Sequence, residues 1–243
     1  MTRQTGKLII PFGEGEGEET ALPTLLRRLI RATPTHSQSD QNIFVAAKAW
    51  RVGHLQKLLK DKGVFWRAQL AKAQRKGAAA VLLVLDGDRP ANMGKPPHCV
   101  GTVASQLASY ARETGAGESF SVAVVLARQE MESWFIAGAE SLKQVEFDGR
   151  PLLNSSSSPP PEDLECQLRD AKGWLGRNMA RGYKPTLDQV RLAQAVDFDQ
   201  IRQRQMRSFQ RLEHATAELC HAIKMDRPIC SPVSRQVGGQ SCG

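Results

Sequence analysis

Ala80-Val-Leu-Leu-Val-Leu-Asp-Gly-Asp-Arg89 decides the fold. Residues 81–85 are continuously apolar, with no polar face, so they read as a strand buried on both sides. Strands of that kind belong to parallel sheets. The run ends abruptly in two carboxylates, Asp86 and Asp88. In an open α/β sheet the crevice outside the carboxyl ends of the strands is where ligands bind.

Working outward, the same pattern recurs. Residues 7–12 form a short first strand, and a glycine- and glutamate-rich turn leads into a helix with Leu22, Leu25, Leu26, Leu29 and Ile30 on one face. The glycines of that turn are expected to let the backbone bend sharply. Residues 42–47 read as a second strand. Leu55, Leu58, Phe65, Trp66 and Leu70 predict helix, interrupted near Gly63. Residues 100–112 read as helix and 120–126 as another buried strand, running straight into a helix from Arg128. Strands alternating with helices predict an α/β fold with a mainly parallel sheet flanked by helices. Residues 1–149 form this domain, and 150–161, rich in Ser and Pro, read as a linker or exposed loop. Residues 162–227 carry only helical patterns, an α-helical C-terminal subdomain, and 228–243 read as a disordered tail.

The 243 residues have a mean hydropathy of -0.38, and no apolar run approaches the ~20 residues that cross a bilayer. No signal-peptide core precedes the first strand, so a cytoplasmic protein is expected. Cys99, Cys166, Cys220, Cys230 and Cys242 are scattered and include no Cys-x-x-Cys pair, which predicts free thiols rather than disulfides or zinc. The net charge of +8 is concentrated in residues 51–76, where Arg51, Lys57, Lys60, Lys62, Arg67, Lys72, Arg75 and Lys76 face Asp61 alone. Such a block suits nucleic acid, with Arg51, Lys57, Lys60, Arg67 and, after the Asp pair, Arg89 as candidate contacts. A solvated helix face is the plainer alternative.

Three strand ends carry acids: Glu14 with Glu16, Glu18 and Glu19; Asp86 with Asp88; and Glu130 with Glu132. A parallel sheet brings these ends to one edge. Clustered carboxylates repel unless a cation lies between them. Oxygen ligands without His or Cys point to Mg²⁺ or Mn²⁺, the apparatus of phosphoryl transfer. Competing readings are an Asp–Gly turn at 86–88 and a helix N-terminus served by Glu18 and Glu19. Glu132 is expected to face solvent, because it cannot share a helix face with Glu130. There is no Walker A loop and no Gly-x-Ser-x-Gly elbow.

Together these residues resemble the Toprim (topoisomerase–primase) superfamily, which pairs a Glu after its first strand with Asp-x-Asp after a later one. The likeness is closest to a branch of small Toprim-like proteins associated with ABC- or AAA-type ATPases in bacterial anti-phage defence. Glu14-Gly-Glu-Gly-Glu-Glu-Thr-Ala-Leu-Pro-Thr-Leu-Leu-Arg-Arg28, Leu85-Asp-Gly-Asp88 and Arg128-Gln-Glu-Met-Glu-Ser-Trp-Phe135 carry the resemblance. Arg169-Asp-Ala-Lys-Gly-Trp-Leu175, Tyr183-Lys-Pro-Thr-Leu-Asp-Gln189 and Arg207-Ser-Phe-Gln-Arg-Leu212 extend it. It implies a metal-dependent endonuclease acting on DNA or RNA. Glu14, Asp86 and Asp88 would hold the metal, Glu18 would serve a second shell or second metal, and Glu130 and Lys172 would complete the catalytic group. It also implies an ATPase partner and self-association on activation. Arg89-Pro90 depart from the pattern, since related members often carry further acids there, and this leaves one metal or two open. A non-catalytic regulatory subunit that binds the ATPase is the alternative.

Overall fold

The computed structural model describes residues 6–32, 42–87, 99–160 and 163–233. Asp88, Arg89 and Cys242 lie outside them.

The chain opens with β1 (Lys7–Gly13), α1 (Glu18–Ala32), β2 (Ile43–Val45) and β3 (Trp50–Arg51). Next come α2 (Leu55–Leu59), a 3₁₀ turn over Lys60–Gly63, α3 (Val64–Arg75) and β4 (Ala78–Asp86). Then follow α4 (Val100–Arg112), β5 (Ser121–Ala127), α5 (Glu132–Ala137) and α6 (Ala139–Leu142). A hairpin of β6 (Glu146–Phe147) and β7 (Arg150–Pro151) precedes α7 (Leu164–Gln167), α8 (Ala171–Asn178) and α9 (Pro185–Ala195). The last elements are α10 (Phe198–Gln203), α11 (Arg207–Lys224) and β8 (Cys230–Ser231).

The main sheet has the order β2-β1-β4-β5-β8, with β3 also pairing β1, and every pairing is parallel. The expected α/β architecture is therefore present, with β4 at its centre. Alternate residues of β4 feed two separate cores. Ala80, Leu82 and Val84 pack with α1, α9 and α11 on one face. Val81, Leu83 and Leu85 pack with α2, α3 and α4 on the other. That division explains why β4 has no polar face: a strand covered on both sides has none to offer.

The strand order reverses between β1 and β4. The chain leaves β1 for β2 by way of α1 on one face, then returns to β4 by way of α3 on the opposite face. A crevice opens at such a switch point, outside the carboxyl ends of the strands. Glu14 and Asp86 stand at its two lips.

Pro23 lies inside α1 and cannot donate to the Glu19 carbonyl. Ala49 N–H takes that place at 2.7 Å, so the missing helix bond becomes a tie between α1 and the segment entering β3.

Three expectations about the C-terminal half are corrected. The helices beyond residue 163 are not a separate subdomain, because they share one apolar core with the sheet. Residues 150–160 are not a free linker. Leu152 and Leu153 are buried, Ser157 is 2% exposed, and Asn154 N–H bonds the Asn178 carbonyl at 2.9 Å. The serines and prolines mask two anchoring leucines. Nor is the chain a disordered tail from Pro228, since Cys230–Ser231 forms an edge strand on β5. Arg112 holds the carbonyls of Cys230 and Pro232, and Cys230 Sγ meets the Ala108 carbonyl. Cys99, Cys220 and Cys230 are thiols rather than disulfide-bonded cysteines. Among the described residues no helix is long and apolar enough to cross a membrane.

The Arg207-Ser-Phe motif is structural. Glu165, 4% exposed, accepts from Arg207 N–H and Ser208 N–H, each at 2.8 Å, and so closes the open N-terminus of α11. Ser208 Oγ bonds Glu165 and receives the Trp134 indole N–H at 2.8 Å. Phe209 is fully buried against Trp134 and Phe198. Glu165→Ala strands these donors in the interior, and a loss of about 2–3 kcal/mol in urea unfolding is expected.

Candidate metal centre

Asp86 ends β4, and the residue after it fixes its setting. A Cβ on Gly87 would lie 2.3 Å from the Ala127 carbonyl oxygen. Gly87 N–H approaches the carbonyls of Ala127 and Gln129 at 2.7 and 3.0 Å. The Asp–Gly pair is thus more than a turn signal: the glycine lets the end of β4 lie against the chain leaving β5. Asp86 Oδ1 then accepts Met131 N–H at 2.9 Å, which places it between Glu130 and Glu132.

Glu130 lies in the turn before α5, and Glu132 is the first residue of that helix. The expectation that Glu132 faces solvent is wrong. It is fully buried, and both glutamates point to the same place. The helix-face rule does not apply, because residue 130 is not yet helical. Asp86, Glu130 and Glu132 each bring a carboxylate oxygen within 4.8 Å of the others, a group that could hold a metal ion.

Lys172 enters this group from α8. Its Nζ lies 2.9 Å from Glu130 Oε1, 3.3 Å from Asp86 Oδ2 and 3.8 Å from Glu132 Oε2. Glu130 also secures the helix that brings the lysine. Its Oε2 accepts from Ala171 N–H at 2.8 Å and Lys172 N–H at 3.2 Å, while Asp170 caps the same turn through Gly173 N–H. The lysine side chain is 41% exposed, whereas that of Glu132 is 0%.

The electrostatics follow from burial. Desolvation, then the Glu132 charge, pushes the Asp86 carboxyl well above its ordinary value; Lys172 and Met131 N–H oppose this, and Glu14 adds to the rise. Burial likewise raises Glu132, against Lys172 and the hydrogen bonds from Tyr183 and Gln189. Burial alone would lower Lys172, but Asp86, Glu132 and Glu130 outweigh it and hold the ammonium above the usual lysine range.

Tyr183 and Gln189 begin and end the Tyr183–Gln189 motif, but the sequence assigned neither of them a place in the site. Tyr183 Oη and Gln189 Nε2 each donate to Glu132 Oε1 at 2.8 Å. Burial and the Glu132 charge drive the phenol strongly upward, so it stays a proton donor. Glu132 Oε2 and Gln189 Oε1 are buried without a hydrogen-bond partner. The motif marks the stretch, but only the fold shows that its first and last residues meet Glu132.

Glu14 and Glu18 stand beside the three-carboxylate group rather than in it. Glu14 is half-buried and felt electrostatically by Asp86. Glu18 Oε2 accepts Gly15 N–H at 2.8 Å, and its Oε1 lies 3.4 Å from Gln189 Nε2. The glycines make the short turn from β1 to α1 without left-handed backbone. Gly13, Gly15 and Gly17 do not have positive φ. They serve close approach: a Cβ on Gly17 would fall 2.0 Å from Gln189 Oε1, and one on Gly13 would fall 2.6 Å from Glu18 Cβ.

Several side chains of the basic block of residues 51–76 have partners within the chain. Arg51 pairs with Glu16 at 2.6 Å, beside the turn that carries Glu14. Arg67 pairs with Glu113, where the chain returns toward the start of β5, opposite the carboxylates. Lys57 lies over the Phe65 ring at 3.9 Å, and Lys60 begins the 3₁₀ turn.

A family model matches residues 13–215, from the last residue of β1 into α11. The chain belongs to the family described as Domain of unknown function (DUF4276). No curated protein and no solved structure matches it. The DUF4276 region holds Glu14, Asp86, Glu130, Glu132, Lys172, Tyr183 and Gln189 together, so the whole centre lies within the family's span.

Proposed function

We propose that this DUF4276 protein is a Toprim-type nuclease that uses Mg²⁺ or Mn²⁺ to hydrolyse phosphodiester bonds in DNA or RNA. The convergence of Asp86, Glu130 and Glu132 beside the β1–β4 crevice carries the reading. An all-oxygen donor set suits a hard divalent cation, and the buried Oε2 of Glu132, which has no hydrogen-bond partner, fits a ligand atom. Asp86, Glu130 and Glu132 would hold the ion, with Glu14 flanking. Bound there, it would supply Lewis-acid polarisation of the phosphodiester.

The protein's own groups have separate duties. Tyr183 and Gln189 fix the orientation of Glu132. Lys172, on a flexible and partly exposed stem, balances the carboxylates and can turn outward to meet phosphate charge. Tyr183 donates its proton to Glu132, so it is not placed as a covalent nucleophile. A cytoplasmic role in bacterial defence, under an ATPase partner, belongs to the same proposal and rests on the motif resemblance.

The purified chain is expected to cleave single- or double-stranded DNA or RNA with Mg²⁺ or Mn²⁺ and to lose that activity in EDTA. Absence of cleavage on all four substrates, with no metal binding by calorimetry, would discard the reading. One observation favours a second: the Lys172 ammonium already meets all three carboxylates, as in a purely structural ion network. A non-catalytic subunit that binds an ATPase would then copurify with that ATPase and cleave nothing.

A further inference from the structure

Phe147-Asp-Gly-Arg150 forms a tight hairpin. Asp148 and Gly149 both adopt positive φ, at 53° and 69°, as a two-residue turn of this kind requires. The hairpin presents Phe147, 39% exposed, at the mouth of a shallow pocket shared with residues 179–191. Arg150, Arg181 and Arg191 line the pocket, with Asp148 and Asp188.

These arginines are not equally committed. Arg191 stacks over the Phe147 ring at 3.7 Å and pairs with Asp188 at 3.2 Å. Arg181 reaches Asp148 only at 4.0 Å, with both side chains more than half exposed. Arg150 has no side-chain partner among the described residues. Two guanidinium groups thus remain available beside an aromatic ring that is already stiffened by a third. An aromatic ring flanked by available guanidinium groups is how proteins hold unpaired nucleotides: the base stacks and the phosphates take the charge.

The pocket adjoins the carboxylates through the chain itself. Gly182 and Asp188 line it, while their neighbours Tyr183 and Gln189 bond Glu132. One turn of α9 thus faces the metal centre with one residue and the pocket with the next.

We infer that the pocket between the β6–β7 hairpin and the 179–191 segment is a subsite for an unpaired nucleotide, with Phe147 stacking the base and Arg150 and Arg181 holding its phosphates. The subsite rests on the reading of the carboxylates as a phosphodiester-cleaving centre and places the strand beside them.

The test is fluorescence anisotropy of the full chain in EDTA, with labelled oligo(dT) and oligo(U) of about 12 nucleotides. Phe147→Ala is expected to weaken binding about 5- to 150-fold, the equivalent of losing one stacked base. Arg150→Glu with Arg181→Glu is expected to weaken it further and to reduce the salt slope by about 0.7 per lost phosphate contact. Comparison of the two probes decides between DNA and RNA. Unchanged affinity and slope in both variants, or no binding by the wild-type chain, would overturn the subsite; an acidic protein segment as the true occupant would give that result. Weakened binding in the variants, with no cleavage under any metal, would keep the subsite and remove the nuclease reading instead.

Discussion

Asp86→Asn is expected to lower metal-dependent cleavage by at least about 10²–10³-fold, the loss typical of removing one group aimed at transition-state charge. The substitution keeps the local frame. An asparagine Oδ1 can still accept Met131 N–H, and Gly87 still fits against Ala127. What disappears is one of three converging negative charges and its pairing with Lys172. Calorimetric titration with Mn²⁺ separates the causes. A weakened or absent metal isotherm with an unchanged circular dichroism spectrum assigns the loss to the ligand. Full cleavage by this variant would remove Asp86 from the centre.

Lys172→Met is expected to act on stability, in a direction that depends on pH. Without the ammonium, three carboxylates crowd a largely buried space with nothing to balance them. Breaking a buried pair from one side is strongly destabilising, and the partial exposure of Lys172 moderates the loss to about 1–3 kcal/mol near neutral pH. The sign follows from proton binding. Burial raises Asp86 and Glu132, so the folded chain holds their protons more tightly than the unfolded chain does. The cost of ionising them is absent below about pH 4, the unfolded carboxylate range, and grows as the pH rises through their elevated folded values. The stabilising share of Lys172 is present below about pH 10.4, its unfolded value, and fades above it. The variant should therefore match the wild type in acid and fall behind it toward neutrality. Mn²⁺ should restore it, because an ion can replace the ammonium. Equal unfolding midpoints from acid to neutral pH would show that Lys172 balances nothing.

Both expectations depend on side chains whose meeting is only partly legible in the sequence. The 81–85 run announces a central parallel strand, because an uninterrupted apolar stretch of strand length suits a sheet covered on both faces. Strand–helix alternation then brings the carboxyl ends of β1, β4 and β5 to one edge, and with them Glu14, Asp86 and Glu130. Local pattern alone accounts for these features. It misjudges Glu132, because helical spacing says nothing about a residue that starts a helix just after a turn. The Asp148-Gly149 turn was legible, since Asp–Gly is a strong hairpin signal, yet the Ser/Pro-rich stretch beginning at Arg150 drew the boundary through it.

Tertiary structure decided the rest. Lys172 is 86 residues from Asp86, and Gln189 is 57 from Glu132 and 171 from Glu18. Periodicity carries no information across such distances. Burial of α8 and α9 against the sheet, by the same apolar core that removes Glu132 from water, sets those contacts. The sequence by itself determined which acids end the strands. Packing determined which of them share a lysine, because only the folded core brings α8 over the edge where β4 and β5 stop.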